Sequence, residues 1–463
     1  MTYNVKTGEM KLLIEKKKRA FKITDISPTR MIVTSFAILI FLGALLLNLP
    51  VASNSGESIG FVNAIFTATS ATCVTGLVIA DTLTQWSVFG QIIIIALIQI
   101  GGLGIITLAT FFSAILGRKV GMKGRILAQA SISDYSFTEV VAMIKGIVII
   151  TFAIEAIGAL LLAIRFVPMF GVRGIYVSIF QSISSFCNAG FDLMGDYKSL
   201  TDFNGDPLII YTVCSLIVVG GLGFIVWKDL YEYHIHRTLY LHTKLVLIMT
   251  VLLIFGGALF FLFQEFSNVA TMGQLTFTEK INASIFQSVT TRTAGYNSIN
   301  VDGMTEVSKI FSVFLMFVGA APGSTAGGVK VTTLAIVIVA IVSNIRGNSE
   351  TIVLKRKVGQ DVINKSLAII GLSMILVFAM TTIIISIEEL PFINVLFECT
   401  SAFGTVGQST GITPSLHDSS KLLLSFMMFL GRVGPLTFAV ALAMREKKTL
   451  QNSVYPEGKI MVG

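Results

Sequence analysis

Charge is what this sequence has least of. Only 13% of its 463 residues are Asp, Glu, Lys or Arg, against about 25% in soluble domains, and 54% are hydrophobic. That excludes an ordinary soluble domain and calls for a bilayer. Histidine is scarce, with four, and the four cysteines, Cys73, Cys187, Cys214 and Cys399, stand singly. Neither supplies a disulfide framework or a metal-ligand set. A membrane enzyme would need a cluster of His, Asp or Glu at membrane depth, and Glu155 is the one carboxylate there. No cytoplasmic segment exceeds about 30 residues, so a nucleotide-binding domain of about 100 residues does not fit.

Long apolar runs are abundant instead. Residues 31–50, 88–115, 144–164, 208–227, 245–263, 310–345, 367–387 and 422–444 each approach or exceed the ~20 residues that cross a ~30 Å hydrocarbon core as a helix, which predicts eight crossings. The stretch Lys11 to Arg19 is basic and precedes a run of full spanning length, so residues 1–30 are expected to be a retained cytoplasmic N-terminus rather than a cleavable leader. On that orientation 25 of the 34 Lys and Arg fall in cytoplasmic segments, in accord with the positive-inside rule, and the tail 447–463 is cytoplasmic too. Fourteen of the 26 acidic residues then lie outside, among them Asp81, Asp192, Asp196, Asp202, Asp206 and Asp302. Such a field concentrates cations at an entrance.

Between each odd run and the even one after it lies a segment too short to cross the membrane and too apolar for a surface loop. The four read FVNAIFTATSATCVTGL from Phe61, IYVSIFQSISSFCNAGF from Ile175, INASIFQSVTTRTAGYN from Ile281 and INVLFECTSAFGTVGQS from Ile393. Each opens with a helical, Phe-containing stretch rich in Ser and Thr and ends at one glycine, Gly76, Gly190, Gly295 or Gly407. Spacings of 114, 105 and 112 residues between those glycines make this the period of the chain. A second marker follows in the next run: GGLG at Gly101 and Gly220, GAAPG at Gly319, GRVG at Gly431. Alone it would indicate only close helix packing.

Four non-helical segments at membrane depth are tolerated only where protein or a water-filled cavity satisfies their backbone, which implies a common axis. The expected fold is therefore all-α and membrane-embedded, with eight transmembrane helices and four re-entrant pore helices in four degenerate helix–pore loop–helix repeats around one pore. The repeats are assigned to residues 31–117, 118–228, 229–344 and 345–446. Each pore helix would aim its negative end at the axis, and the extended residues after it would aim carbonyl oxygens there in place of a cation's hydration shell. The predicted lining is Thr72, Cys73, Val74, Thr75 and Gly76; Phe186, Cys187, Asn188, Ala189 and Gly190; Thr291, Arg292, Thr293, Ala294 and Gly295; and Phe403, Gly404, Thr405, Val406 and Gly407. A glycine is required where a carbonyl can face the axis only at positive φ. A secondary transporter with broken helices would also carry unwound glycine segments, but in two inverted halves rather than four same-direction copies.

The run 310–345 is interrupted by Gly319, Ala320, Ala321, Pro322, Gly323, Ser324, Thr325, Ala326, Gly327 and Gly328, with Lys330 close behind. Proline and four glycines predict a break at mid-membrane, and the segment 319–330 reads as a loop across the cavity beneath the filter. Arg432, midway along the last run, must face the interior and find acceptors, which the broken third-repeat helix offers. Lys330 reads as part of the same gating segment or, equally, as a plain snorkelling or helix-end-stabilising residue. Arg292 and Glu398 of the fourth pore helix either pair with each other or each reach external water, the latter being the plainer reading.

At these motifs the sequence resembles the K⁺ transporter superfamily that includes the bacterial Trk and Ktr systems and the plant high-affinity K⁺ transporters. TCVTGL, SFCNAGF, TTRTAGYN and FGTVGQST look like that family's four degenerate copies of a K⁺-channel filter, and the similarity runs from about residue 30 to 445. The start of the chain and the ending YPEGKIMVG bring it nearest the Ktr branch. The resemblance implies K⁺ uptake across a bacterial cell membrane, Na⁺ as an activator, a homodimer with one pore per subunit, and a separate KtrA-like cytosolic ring subunit that binds ATP or ADP.

Overall fold

The computed structural model describes residues 28–104, 137–348 and 350–443. The basic N-terminus up to residue 27, residues 105–136, which take in the end of the first expected repeat and the start of the second, residue 349 and the tail from residue 444 lie outside the described residues.

Four helices free of internal breaks run through the most apolar stretches: Pro28–Leu47, Phe137–Phe170, Leu241–Glu265 and Gln360–Glu388. Each is long and apolar enough to cross a membrane by itself. Between 22% and 33% of their apolar windows is buried by the chain, so most of the surface of these outer helices is left for lipid. Their exposed side chains include Phe41, Leu160, Phe255, Phe263 and Ile375.

After each outer helix comes a short one: Phe61–Cys73, Arg173–Cys187, Phe277–Thr290 and Phe392–Gly404. They are amphipathic in an unusual way, burying Ser and Thr such as Ser70, Ser184, Ser185, Thr290 and Ser401 along with their phenylalanines. The third starts at a capping box, in which Glu279 Oε2 accepts the N–H of Thr276 (2.8 Å) and the Thr276 hydroxyl accepts that of Glu279 (3.5 Å).

The even runs are not the single helices their hydropathy predicts. The inner helices Val88–Leu103, Pro207–Leu222 and Asp418–Val433 each stop at the last glycine of their marker, Gly104, Gly223 and Gly434, with φ of 84°, 89° and 92°. A right-handed helix cannot continue through such a residue. The expected span 208–227 is therefore two helices, Pro207–Leu222 and Phe224–His236, bent by 92°. The expected span 422–444 divides at Gly434 into Asp418–Val433 and Pro435–Ala443. The third inner helix is interrupted for longer, between Glu306–Phe317 and Val331–Ile345. A two-stranded hairpin, Ile352–Val353 with Arg356–Lys357, leads to the last outer helix.

Packing closes the chain on itself. Each outer helix packs on the short helix that follows it, and each inner helix packs on the short helix of the next repeat; the last of these contacts sets Asp418–Val433 against Phe61–Cys73. The four short helices thus surround one axis. Within each of three repeats the inner helix also packs closely on its own short helix, which the first glycine of the marker allows, since a Cβ at Gly101, Gly220 or Gly431 would collide with the carbonyl oxygen of Thr72, Phe186 or Phe403.

Candidate ion filter and gate

Each predicted filter segment leaves its short helix by a tight turn. Two residues before the glycine the backbone is left-handed, at Val74 (φ 58°), Asn188 (60°), Thr293 (76°) and Thr405 (50°). It is so again at Gly76, Gly190, Gly295 and Gly407, with φ of 92°, 70°, 82° and 93°. Sequence reasoning places positive φ at the glycines alone. A non-glycine residue there costs about 1–3 kcal/mol and persists only where its surroundings dictate it.

The short helices supply those surroundings. The N–H groups of Thr75, Ala189 and Val406 donate to the carbonyls of Ser70 (2.8 Å), Ser184 (2.8 Å) and Ser401 (2.9 Å), and that of Ala294 donates to Thr290 (2.9 Å). The hydroxyls of the same four residues finish the turn. Ser70 and Ser401 accept from the N–H groups of Gly76 (3.1 Å) and Gly407 (3.0 Å), whereas Ser184 and Thr290 donate to the carbonyls of Phe191 (2.6 Å) and Tyr296 (2.8 Å). Their shared place in four aligned segments is a signal for this role, and sequence reasoning registers it only as Ser and Thr richness.

The four glycines meet in a ring. A Cβ built on Gly76 would strike the carbonyl of Ala189; on Gly190, that of Ala294; on Gly295, that of Val406; and on Gly407, that of Thr75. Four predicted filter segments more than 100 residues apart in sequence are thus neighbours in cyclic order, and the Asn188 and Thr293 side chains also meet, at 3.2 Å.

On one side of the ring opens a cavity of about 480 Å³, floored by all four glycines and lined by Asp81, Asp192, Asp196 and Asp302. Asp202 and Asp206, which the sequence groups with these acids, are not in its lining. Asp206 caps the helix Pro207–Leu222 and pairs with Arg165 at 2.9 Å, while Asp202 faces Lys198 at 3.8 Å. Burial pushes the Asp192 carboxyl up to about 6, and the charge of Asp81 adds to the rise against hydrogen bonds from the Met194 N–H and the Ser199 hydroxyl.

On the other side lies the interruption of the third inner helix. The Gly327 N–H donates to Thr405 Oγ1 (3.0 Å) and the Thr325 hydroxyl to the carbonyl of Phe186 (3.4 Å), so the segment touches two predicted filter strands directly. Its other bonds answer a need created by the glycine breaks, because a helix that stops leaves its last carbonyls unpaired. The N–H groups of Ala321, Thr325 and Gly328 donate to the carbonyls of Gly221 (3.1 Å), Gly220 (3.4 Å) and Gly431 (3.3 Å). The remaining inner helix is served by Arg432, whose guanidinium donates to the carbonyls of Gly101 and Gly102 and, from its other nitrogen, to that of Thr325. Gly319, Ala320, Pro322, Gly323 and Ser324 complete the segment, with Gly319 bonded to Val329 (2.8 Å) and Gly323 to Phe224 (3.0 Å). Ala326 accepts from Lys330 Nζ at 2.7 Å, so Lys330 ties down the segment's own carbonyls rather than snorkelling.

The Arg292–Glu398 pair, one of the two readings open in the sequence, is not formed. Glu398 accepts from the hydroxyls of Ser409 (2.5 Å) and Thr413 (2.9 Å) and from the Thr410 N–H (3.0 Å), which satisfy it within its own repeat. Arg292 points elsewhere, bordering a small space with Gly221, Thr250 and Ala320, and its Nε has no hydrogen-bond partner.

The family model described as TrkH, cation transport protein, matches residues 6–452. The chain is 39% identical over 448 residues to the Ktr system potassium uptake protein B of Bacillus subtilis, covering 96% of this chain and 99% of that protein. It is 40% identical over 452 residues to the potassium/sodium uptake protein NtpJ of Enterococcus hirae, with the same coverage. The crystal structure of the potassium transporter TrkH from Vibrio parahaemolyticus superposes with a TM-score of 0.70 over 92% of this chain and 86% of that one, at 18% identity, which establishes the shared fold. The chain is a multi-pass membrane protein and belongs to the TrkH family of cation transport proteins.

Proposed function

We propose that this chain takes up K⁺ through one pore on the axis of the glycine ring, with backbone carbonyls of the four segments replacing the ion's hydration shell. The observation that carries this reading is the closed ring itself, in which four unlike sequences adopt the same two left-handed positions. Alternation of that kind turns successive carbonyls to one side, as carbonyl coordination requires. Side chains differ between the copies, so backbone must do most of the binding. The names of the relatives, a potassium uptake protein and a potassium/sodium uptake protein, fit the same cargo.

In this reading the chain makes eight crossings with both termini cytoplasmic, the acidic cavity is the outer vestibule, and the four repeats keep the boundaries given above. The segment 319–330 is an intramembrane gate latched by Arg432, whose cation beneath the filter also repels K⁺. The kinship to a Ktr system subunit supports assembly as a homodimer with a KtrA-like cytosolic ring, on which ATP or ADP would act, and the NtpJ kinship supports Na⁺ as an activator. Flux of Rb⁺ or K⁺ into liposomes holding the purified chain tests the central point. Selective, protein-dependent uptake is expected; no uptake above empty liposomes in any activating condition would refute it.

A further inference from the structure

Glu155 sits in the outer helix Phe137–Phe170 with 4% of its surface exposed, and none of the ion pairs among the described residues includes it. An apolar residue would fill this place at lower cost, and an ionisable group retained at membrane depth points to a task. Both of its carboxylate oxygens take the same donor, Gln99 Nε2, at 3.0 and 3.2 Å. In this contact Gln99 Nε2 is the donor, which sets which way the Gln99 amide faces. The amide oxygen is thereby turned to the opposite side, where it lies 3.7 Å from the thiol of Cys187 and accepts from it.

Cys187 belongs to the second predicted filter strand, directly before left-handed Asn188. Gln99 stands two and three residues ahead of Gly101 and Gly102, whose carbonyls receive Arg432. Gly102 itself lies against Cys187, since a Cβ there would come within 2.7 Å of the sulfur. The main-chain carbonyl of Glu155 accepts from the Ser182 hydroxyl at 2.6 Å, which fastens the same outer helix to the second short helix.

Resting on the transport reading above, we propose that Glu155 is a positioning residue for ion selection and gating. Through Gln99 it fixes the second filter strand at Cys187 and the last turn of the first inner helix, which receives the Arg432 latch. Filter and latch then share one buried strut. Side-chain packing alone would need neither the carboxylate nor the amide orientation it imposes.

The test uses full-length chain in liposomes, with K⁺ and Na⁺ uptake measured per folded molecule for wild type, Glu155→Leu, Glu155→Gln, Gln99→Met and the double variant Glu155→Leu/Gln99→Met. Glu155→Leu and Gln99→Met should each lower K⁺ over Na⁺ selectivity roughly three- to tenfold, the factor a single buried hydrogen bond can carry. Together they should do no more than the larger of the two, because they cut one strut. Glu155→Gln keeps an acceptor oxygen at the same reach and should restore most of the selectivity. Unchanged selectivity in Glu155→Leu or Gln99→Met, or multiplicative losses in the double variant, would overturn the proposal. Should Glu155→Leu not fold, Gln99→Met reads the strut from its other end. Wild type that passes no K⁺ would defeat the transport reading itself, an outcome distinct from either of these.

Discussion

Three of the four left-handed non-glycine residues in the predicted filter segments, Val74, Thr293 and Thr405, are β-branched, the side-chain class that tolerates positive φ least. The molecule keeps them there with hydrogen bonds from the segments' own N–H groups to buried Ser and Thr, so the conformation is imposed by the short helices rather than preferred locally. No common chemistry unites Val, Asn, Thr and Thr, which is why this position is not legible in the sequence while the glycine two residues later is. Asp192 makes a prediction at the same scale. Its carboxyl, held near 6, is charged above that pH and neutral below it, so the acidic cavity loses one negative charge as pH falls through about 6. Uptake of K⁺ at low ionic strength should therefore fall about two- to fivefold between pH 7.5 and 5. Asp192→Asn should start at the lower rate and lose that part of the pH dependence. An unaltered profile in Asp192→Asn would assign the effect to another group.

Among the elements, the interruption of the third inner helix is legible because Pro322 and four glycines forbid a helix, and the structure places the break between Phe317 and Val331. The other three breaks are hidden, since hydropathy runs on through Gly104, Gly223 and Gly434 and a glycine marker reads equally well as a packing site. Consequently only one of the three carbonyls that Arg432 holds, that of Thr325, is foreseeable from the sequence. Gly101 and Gly102 lie 331 and 330 residues away, and only the ring closure brings them near. Deleting residues within 323–328, or Arg432→Ala, should raise basal flux per folded molecule about tenfold, as loss of a charged hydrogen bond at the proposed latch would allow. Combining the two should give far less than the product, since both open the same barrier. A packed kink with no gating role would instead yield less folded protein and no excess flux, which counter-ion flux normalised to reconstituted protein separates.

For the molecule as a whole, the repeat is readable from four glycines at near-constant spacing, whereas the way each inner helix docks on the next repeat's short helix is a long-range property that no local pattern encodes. That docking makes the ring cyclic and gives each glycine the same duty, to let the next carbonyl pass where a Cβ would stand. The most direct measurement is the K⁺ to Na⁺ selectivity of reconstituted wild type beside Gly76→Ser, Gly190→Ser, Gly295→Ser and Gly407→Ser, each normalised to folded protein. A side chain at these positive-φ, closed-in sites should lower K⁺ selectivity or apparent affinity by about tenfold in every copy. Wild-type selectivity and affinity in all four variants would contradict the filter.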